Sequence, residues 1–269
     1  MRPGQLRKAF AAFAVATLML ASLALAFTKG RSAFSKRTPA VTTTRSDQMP
    51  RLVLWAWERP VDLRFIDPRE TGVAFLARTI QLRADEVVVR PRLQPLDLSE
   101  GTRVIAVARV ETDSKSKPDL SNQQRDELAA AIVEMAQLPN VSSIQIDFDA
   151  TRSERGFYHE VIVDVRRRVP ETVGLSITAL ASWCSDDDWI SDLPIDEAVP
   201  MLFRMGPDRR QIRNRLASGE EFPARPCRNS YGISTDEPLQ NLSATKRLYV
   251  FNPDAWTERS VRAITDSRK

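Results

Sequence analysis

The chain has 269 residues, with 39 Lys and Arg against 35 Asp and Glu for a net charge of +4. Arg2, Arg7 and Lys8 account for most of that excess, and the near-neutral remainder lacks the positive field that nucleic-acid binding requires. One histidine, two cysteines and the absence of HExxH, GxSxG and Walker patterns exclude three-histidine metal sites, serine-hydrolase elbows and phosphate loops, so no cofactor is implied and the one metal reading left open is a cation held by the carboxylates of Glu111, Asp147 and Asp149.

Residues 1–26 read as a signal peptide or membrane anchor. The three early cations form an n-region, and Ala9 to Phe27 then runs without a charge. Ala24-Leu25-Ala26 is a small-x-small cleavage pattern, and Lys29, Arg31, Lys36 and Arg37 follow where an uncleaved anchor disfavours them. Cleavage after Ala26 would leave Phe27 first, and no cysteine nearby offers a lipid attachment point. Residues 27–50, rich in Ser, Thr, Arg and Lys, cannot support a core and read as a linker. The expected location is therefore periplasmic or extracellular, tethered if the leader stays. In such an oxidising compartment Cys184 and Cys227 most economically form one disulfide, both following strands on one face of the fold.

Residues 51–269 are one domain. Strand-like runs cover Leu52 to Trp57, Gly72 to Leu76, Val104 to Val110, Ser143 to Phe148, Leu175 to Ala181, Val199 to Met205, Tyr231 to Ser234 and Leu248 to Phe251. Ser121 to Gln137 is the clearest helix, with Leu128, Ile132 and Met135 on one face and Ser121 with Gln124 as a capping box. Glu154 to Val169 is the next, stopped by Pro170. Eight strands alternating with helices predict an α/β fold, a (β/α)8 TIM-like barrel. The first third departs from that pattern. Pro60 to Glu70 leaves room only for a short helix, and Ala77 to Gly101 holds Val87-Val88-Val89 among prolines, so an irregular barrel is expected. An open doubly wound sheet is the competing architecture.

Period-two alternation in Ser143 to Ala150 puts Gln145, Asp147 and Asp149 on one face and Ile144, Ile146 and Phe148 on the other. With the apolar set under helices, both aspartates face the barrel axis at a strand's C-terminal end, where barrel enzymes keep their sites. Arg109 and Glu111 share a parity with Val107 on the preceding strand, so Arg109 can hold Asp147 ionised with Glu111 and Asp149 higher in the mouth. An ion-pair network that only fixes the barrel is the competing reading. Glu58, Arg204, Trp183, Tyr231 and Asn252 fall near other strand ends, and Glu58 and Arg204 are expected at the border of the same pocket. Trp55 and Trp57, opposite in parity to Glu58, are expected to pack under helices. Aromatic rings beside carboxylates suit sugars, which makes a carbohydrate polymer the candidate partner. Glu111 or Glu58 is the candidate acid, Asp149 its partner, and Asp147 with Arg109 the surrounding shell. His159, on a helix face, reads as a surface or packing residue.

Six segments, among them Leu54-Trp55-Ala56-Trp57-Glu58-Arg59-Pro60, Gln145 to Ala150, Ser176 to Cys184, Asp196 to Gly206, Ser234 to Pro238 and Val250 to Pro253, resemble an uncharacterised bacterial exported family. It is known only by a domain-of-unknown-function label, number 3142. The resemblance covers about Leu52 to Trp256 and implies export but no activity. More distantly, Asp147 and Asp149 are similar to the two aspartates of the D-x-D-x-E pattern that ends the fourth strand of chitinase-type glycosidase barrels. Thr151 stands at the position of the catalytic glutamate, and Glu154 comes three residues later. That resemblance implies a barrel with a sugar site but does not supply its acid, and a non-catalytic envelope module that kept the barrel is the alternative reading.

Overall fold

The computed structural model describes residues 49–239 and 242–267, so the expected leader and nearly all of the expected linker lie outside the described residues. The strands in chain order are β1 (Leu52–Ala56), β2 (Val61–Leu63), β3 (Thr71–Arg83), β4 (Glu86–Pro91), β5 (Leu96–Leu98) and β6 (Val104–Thr112). They continue with β7 (Val141–Asp147), β8 (Gly174–Leu180), β9 (Glu197–Met201), β10 (Ser230–Ser234) and β11 (Arg247–Phe251). The helices are α1 (Asn122–Val133), α2 (Arg155–Arg168), α3 (Ala181–Ser185), α4 (Arg209–Ala217) and α5 (Glu258–Asp266). Among the described residues no helix is long and apolar enough to cross a membrane.

β1, β3, β6, β7, β8, β9, β10 and β11 pair in parallel in that order, and β1 pairs with both β3 and β11, which closes the sheet into a barrel. Closure removes the open doubly wound alternative and leaves no free edge among these eight strands. Two separate apolar clusters result. Ile144, Ile146, Leu175 and Ile177 meet Leu128, Ile132, Val161 and Ile162 of α1 and α2 outside the barrel, whereas Val53, Trp55, Ile105, Val107, Val199 and Tyr249 pack inside it. Gly232 shows how tightly the inside is filled. A Cβ there would lie 3.1 Å from Met201 Sδ and 3.2 Å from the Trp55 ring, so a larger residue on β10 would push against the indole.

The first two crossovers carry no helix. The Pro60 to Glu70 stretch, expected to hold a short helix, forms β2 and turns, and β2 pairs in parallel with β5. β3 outruns the barrel, turns at Ala84 with φ 41°, and returns as the antiparallel strand β4. The valines that break the helical pattern are this hairpin's second arm, since β-branched residues favour a pleated surface and Pro91 sits at its end. Ser121 caps α1 by accepting from Gln124 N at 3.2 Å, but the capping box is not completed. The Gln124 amide instead donates to Ala84 O and Glu86 O, at 3.0 and 3.1 Å, and ties the hairpin to α1.

Cys184 of α3 is bonded to Cys227, with Cα atoms 5.9 Å apart. Cys227 lies in the 3₁₀ turn Arg225–Arg228, so the bridge joins the connection that follows β8 to the end of the connection that follows β9, just ahead of β10.

Candidate functional site

The inward positions at the C-terminal ends of the strands enclose an open cavity of about 410 Å³ at the barrel mouth. β6 contributes Arg109 and Glu111, β7 contributes Asp147 with Asp149 just beyond it, and β8 contributes Thr178 and Leu180. The register that sets Arg109 beside Asp147 determines the contacts. Arg109 Nη1 donates to Asp147 Oδ2 at 2.9 Å, Nη2 donates to Asp149 Oδ2 at 3.1 Å, and Nε lies 3.8 Å from Glu111 Oε1. Thr178 Oγ1 donates to Asp147 Oδ1 at 2.6 Å. One guanidinium thus faces three carboxylates. Asp147 is buried, while the side chains of Asp149 and Glu111 are 54% and 49% exposed and free to take a ligand's hydroxyls.

Burial pushes the Asp147 carboxyl above the usual carboxylate range, and the lowering effects of Arg109 and Thr178 do not cancel it. For Arg109 burial works to lower the pKa, but Asp147 and Asp149 together outweigh it and hold the guanidinium charged. A carboxyl whose folded pKa is raised contributes stability below its unfolded value that is lost as pH rises through the folded one. Denaturant unfolding of wild type and Asp147→Asn across pH 4 to 7 should therefore show the wild type losing ground to the variant as pH rises. A wild-type advantage that grows with pH would show that Arg109, not burial, governs this group.

The opposite wall is apolar and aromatic. Phe203 and Phe251 stack with centroids 5.8 Å apart and planes at 5°, and Trp57 meets Phe251 edge-on at 6.4 Å. Deeper, Trp55 Nε1 donates to Gln145 Oε1 at 3.0 Å and closes the floor of the cavity. Arg204 lies at the rim with its guanidinium 5.6 Å from the Phe251 centroid. Its backbone is left-handed, φ 49°, and its N–H donates to Glu237 Oε1 at 3.1 Å.

Asp147, Asp149, Glu111, Arg109 and Arg204 therefore share one cavity, and the other candidates lie elsewhere. Glu58 turns away from it, as its parity against Trp55 and Trp57 requires, and lines a separate cavity of about 220 Å³ beside Thr79 and Arg90. Trp55 and Trp57 point inward instead of packing under helices. Trp183 belongs to α3, because the chain leaves the barrel directly after Leu180, and it is buried edge-on against Trp189 at 5.0 Å. Tyr231 alternates outward from Ser230 and Gly232 and is buried in the outer core. Asn252 closes a loop, accepting from Thr235 Oγ1 at 2.6 Å. His159 is exposed on α2. Glu154 does not reach the mouth, because its carboxylate accepts from Thr151 N and Thr151 Oγ1, both at 2.7 Å, and so fixes the turn into α2. Thr178, Phe203, Phe251 and Leu180 were not expected at the site. The alternation that marked Asp147 on β7 would have marked Thr178 and Leu180 on β8. Among the described residues no group of three or more His, Cys, Asp or Glu is placed to hold a metal ion.

No family model and no curated protein matches the chain. Among solved structures, the chain is similar to the chitinase domain of the spore coat protein CotE from Clostridium difficile. The identity is 13%, the TM-score 0.41, and the match covers 70% of this chain and 67% of that one.

Proposed function

We propose that the mouth cavity binds a carbohydrate outside the cytoplasm, and that it does so without cleaving it. The observation that carries this reading is the pairing of exposed Asp149 and Glu111 with the apolar wall of Trp57, Leu180 and Phe251 in one open cavity. Sugar C–H faces stack on such rings while hydroxyls take the carboxylates. Hydrolysis by a carboxylate pair needs one protonated acid and one free base or nucleophile across the glycosidic bond. Here Arg109 engages Asp147 and Asp149, Thr151 stands where a third acid would be, and Glu154 is spent on its turn. Export is part of the proposal, supported by the leader pattern and by the Cys184–Cys227 bond, which suits an oxidising compartment. So is membership of the uncharacterised exported family, supported by six motifs that fall on or beside β1, β7, β8, β9, β10 and β11.

The test is a panel of envelope and extracellular glycans titrated into the purified protein, with assay for new reducing ends. Binding with no new reducing ends is expected. New ends that vanish in Glu111→Gln would make the site hydrolytic, and binding to none of the panel would remove the carbohydrate reading.

A further inference from the structure

We infer that the ligand is an acidic polysaccharide, whose anionic groups are read by Arg204 at the wall shared by the mouth cavity and the cleft beside it. The inference rests on the carbohydrate reading of the cavity and adds the class of sugar. Its first support is the rim. Arg204 stacks on Phe251, and among the described residues no carboxylate pairs with its guanidinium. This unpaired cation is held in a backbone conformation that costs a non-glycine residue on the order of 1–3 kcal/mol, and Glu237 is spent on holding the backbone N–H rather than the charge. A strained arginine presented bare beside an aromatic face is arranged for a planar anion, which a guanidinium binds with two parallel hydrogen bonds.

The second support is what lies beyond it. A further cleft of about 230 Å³ shares Leu180, Met201, Phe203 and Arg204 with the mouth cavity and runs on to Asp208 and Ile212 at the start of α4. Arg204 is thus a wall common to two adjoining hollows, a layout that suits a chain of sugars rather than a single ring. Along this stretch Arg209 pairs with Glu237 at 3.1 Å and Arg215 with Glu220 at 3.7 Å. Arg210 and Arg213, exposed and three residues apart on α4, pair with no carboxylate among the described residues. Neither of them lines the mouth cavity or the cleft, so on the β9–α4 side the cation presented to both hollows is Arg204, with the Asp208 carboxylate lining the cleft beyond it, while Glu111 and Asp149 keep the β6–β7 side negative. A polymer bearing carboxylates gains on the first side and is repelled on the second, which fixes where its acidic residues sit.

The test uses the purified full chain with oligosaccharides of galacturonate, glucuronate and mannuronate, each beside its carboxyl-reduced neutral form, and with phosphatidylglycerol vesicles. At least one acidic form should bind roughly 10-fold or more tighter than its neutral form, and the preference should shrink as salt rises. Arg204→Gly, which suits the left-handed backbone, should abolish the preference, and Arg210→Gln/Arg213→Gln, outside both hollows, should leave it within about 2-fold. Equal or tighter binding of the neutral forms would overturn the inference and leave the carbohydrate site standing. Failure of every sugar would sink both. Vesicle binding that depends on Arg210 and Arg213, with no acidic preference among sugars, would assign the patch to a membrane surface instead.

Discussion

Glu197→Ala is expected to destabilise the fold by roughly 3–5 kcal/mol, the range for removing one partner of a buried charge pair, and to lower the melting temperature by about 10 °C. Glu197 is buried on β9, inside the barrel. Arg247 Nη1 donates to its Oε1 and Tyr249 Oη to its Oε2, both at 2.8 Å. Arg247 also donates through Nε to Pro50 O at 3.1 Å, so the pair anchors the entry of β1. Burial pushes the Tyr249 phenol well above its ordinary range, with the Glu197 charge adding to it, so the phenol remains a donor at any ordinary pH. Without Glu197 the Arg247 guanidinium keeps its backbone acceptors but stays buried without a counter-charge, and the Tyr249 hydroxyl loses the carboxylate that accepts from it. The companion variant Glu197→Leu/Arg247→Met should recover most of the loss, because it removes both desolvated charges together. Equilibrium denaturation of the three proteins decides it, and a single-variant cost under about 1 kcal/mol would mean that water enters the barrel floor.

The second large effect is expected from Cys184→Ser/Cys227→Ser. The bond closes a 43-residue loop, for which chain entropy gives up to about 4 kcal/mol, with measured cases nearer 2–4. Both sulfurs are buried, and α3 has only Ala181 to Ser185 to hold it against the barrel, so the loss should appear first as opening of the segment 181–196 that leads into β9. Hydrogen exchange should show that segment deprotected while β6 and β7 stay closed. Uniform deprotection of the whole barrel would mean that the bridge acts on global stability alone.

Most of this barrel is legible in the residues, and the exceptions share a cause. Each of the eight parallel strands overlaps an apolar run between polar turns, and on β7 the contrast between Ile144-Ile146 and Gln145-Asp147 shows which face looks inward. β1 gives no such contrast. Leu52 to Ala56 is buried on both faces, one against helices and one against the barrel interior, so period-two reading cannot say where Trp55 points. The same ambiguity hides Tyr231, flanked on β10 by Ser230 and by Gly232, where Trp55 and Met201 leave little room for a side chain. Where a strand stops is equally hard to read. β8 ends at Leu180 and α3 begins at once, which takes Trp183 out of the mouth, and β9 ends at Met201, four residues short of the apolar run, so that Arg204 can turn through its left-handed conformation. Glu154 is misleading for a local reason. Its carboxylate satisfies donors at the start of a helix, a use that competes with catalysis for any acid near an N-terminus.

The measurement closest to the central claim is a crystal structure of the protein soaked with the tightest-binding oligosaccharide of the glycan panel. A sugar ring should lie against Phe251 and Trp57, with hydroxyls within hydrogen-bond distance of Asp149 and Glu111, and the Arg109–Asp147 contact should be unchanged. An oligosaccharide found instead in the Glu58–Arg90 cavity or on the outer face of the barrel, with the mouth empty, would contradict the assignment of this cavity as the binding site.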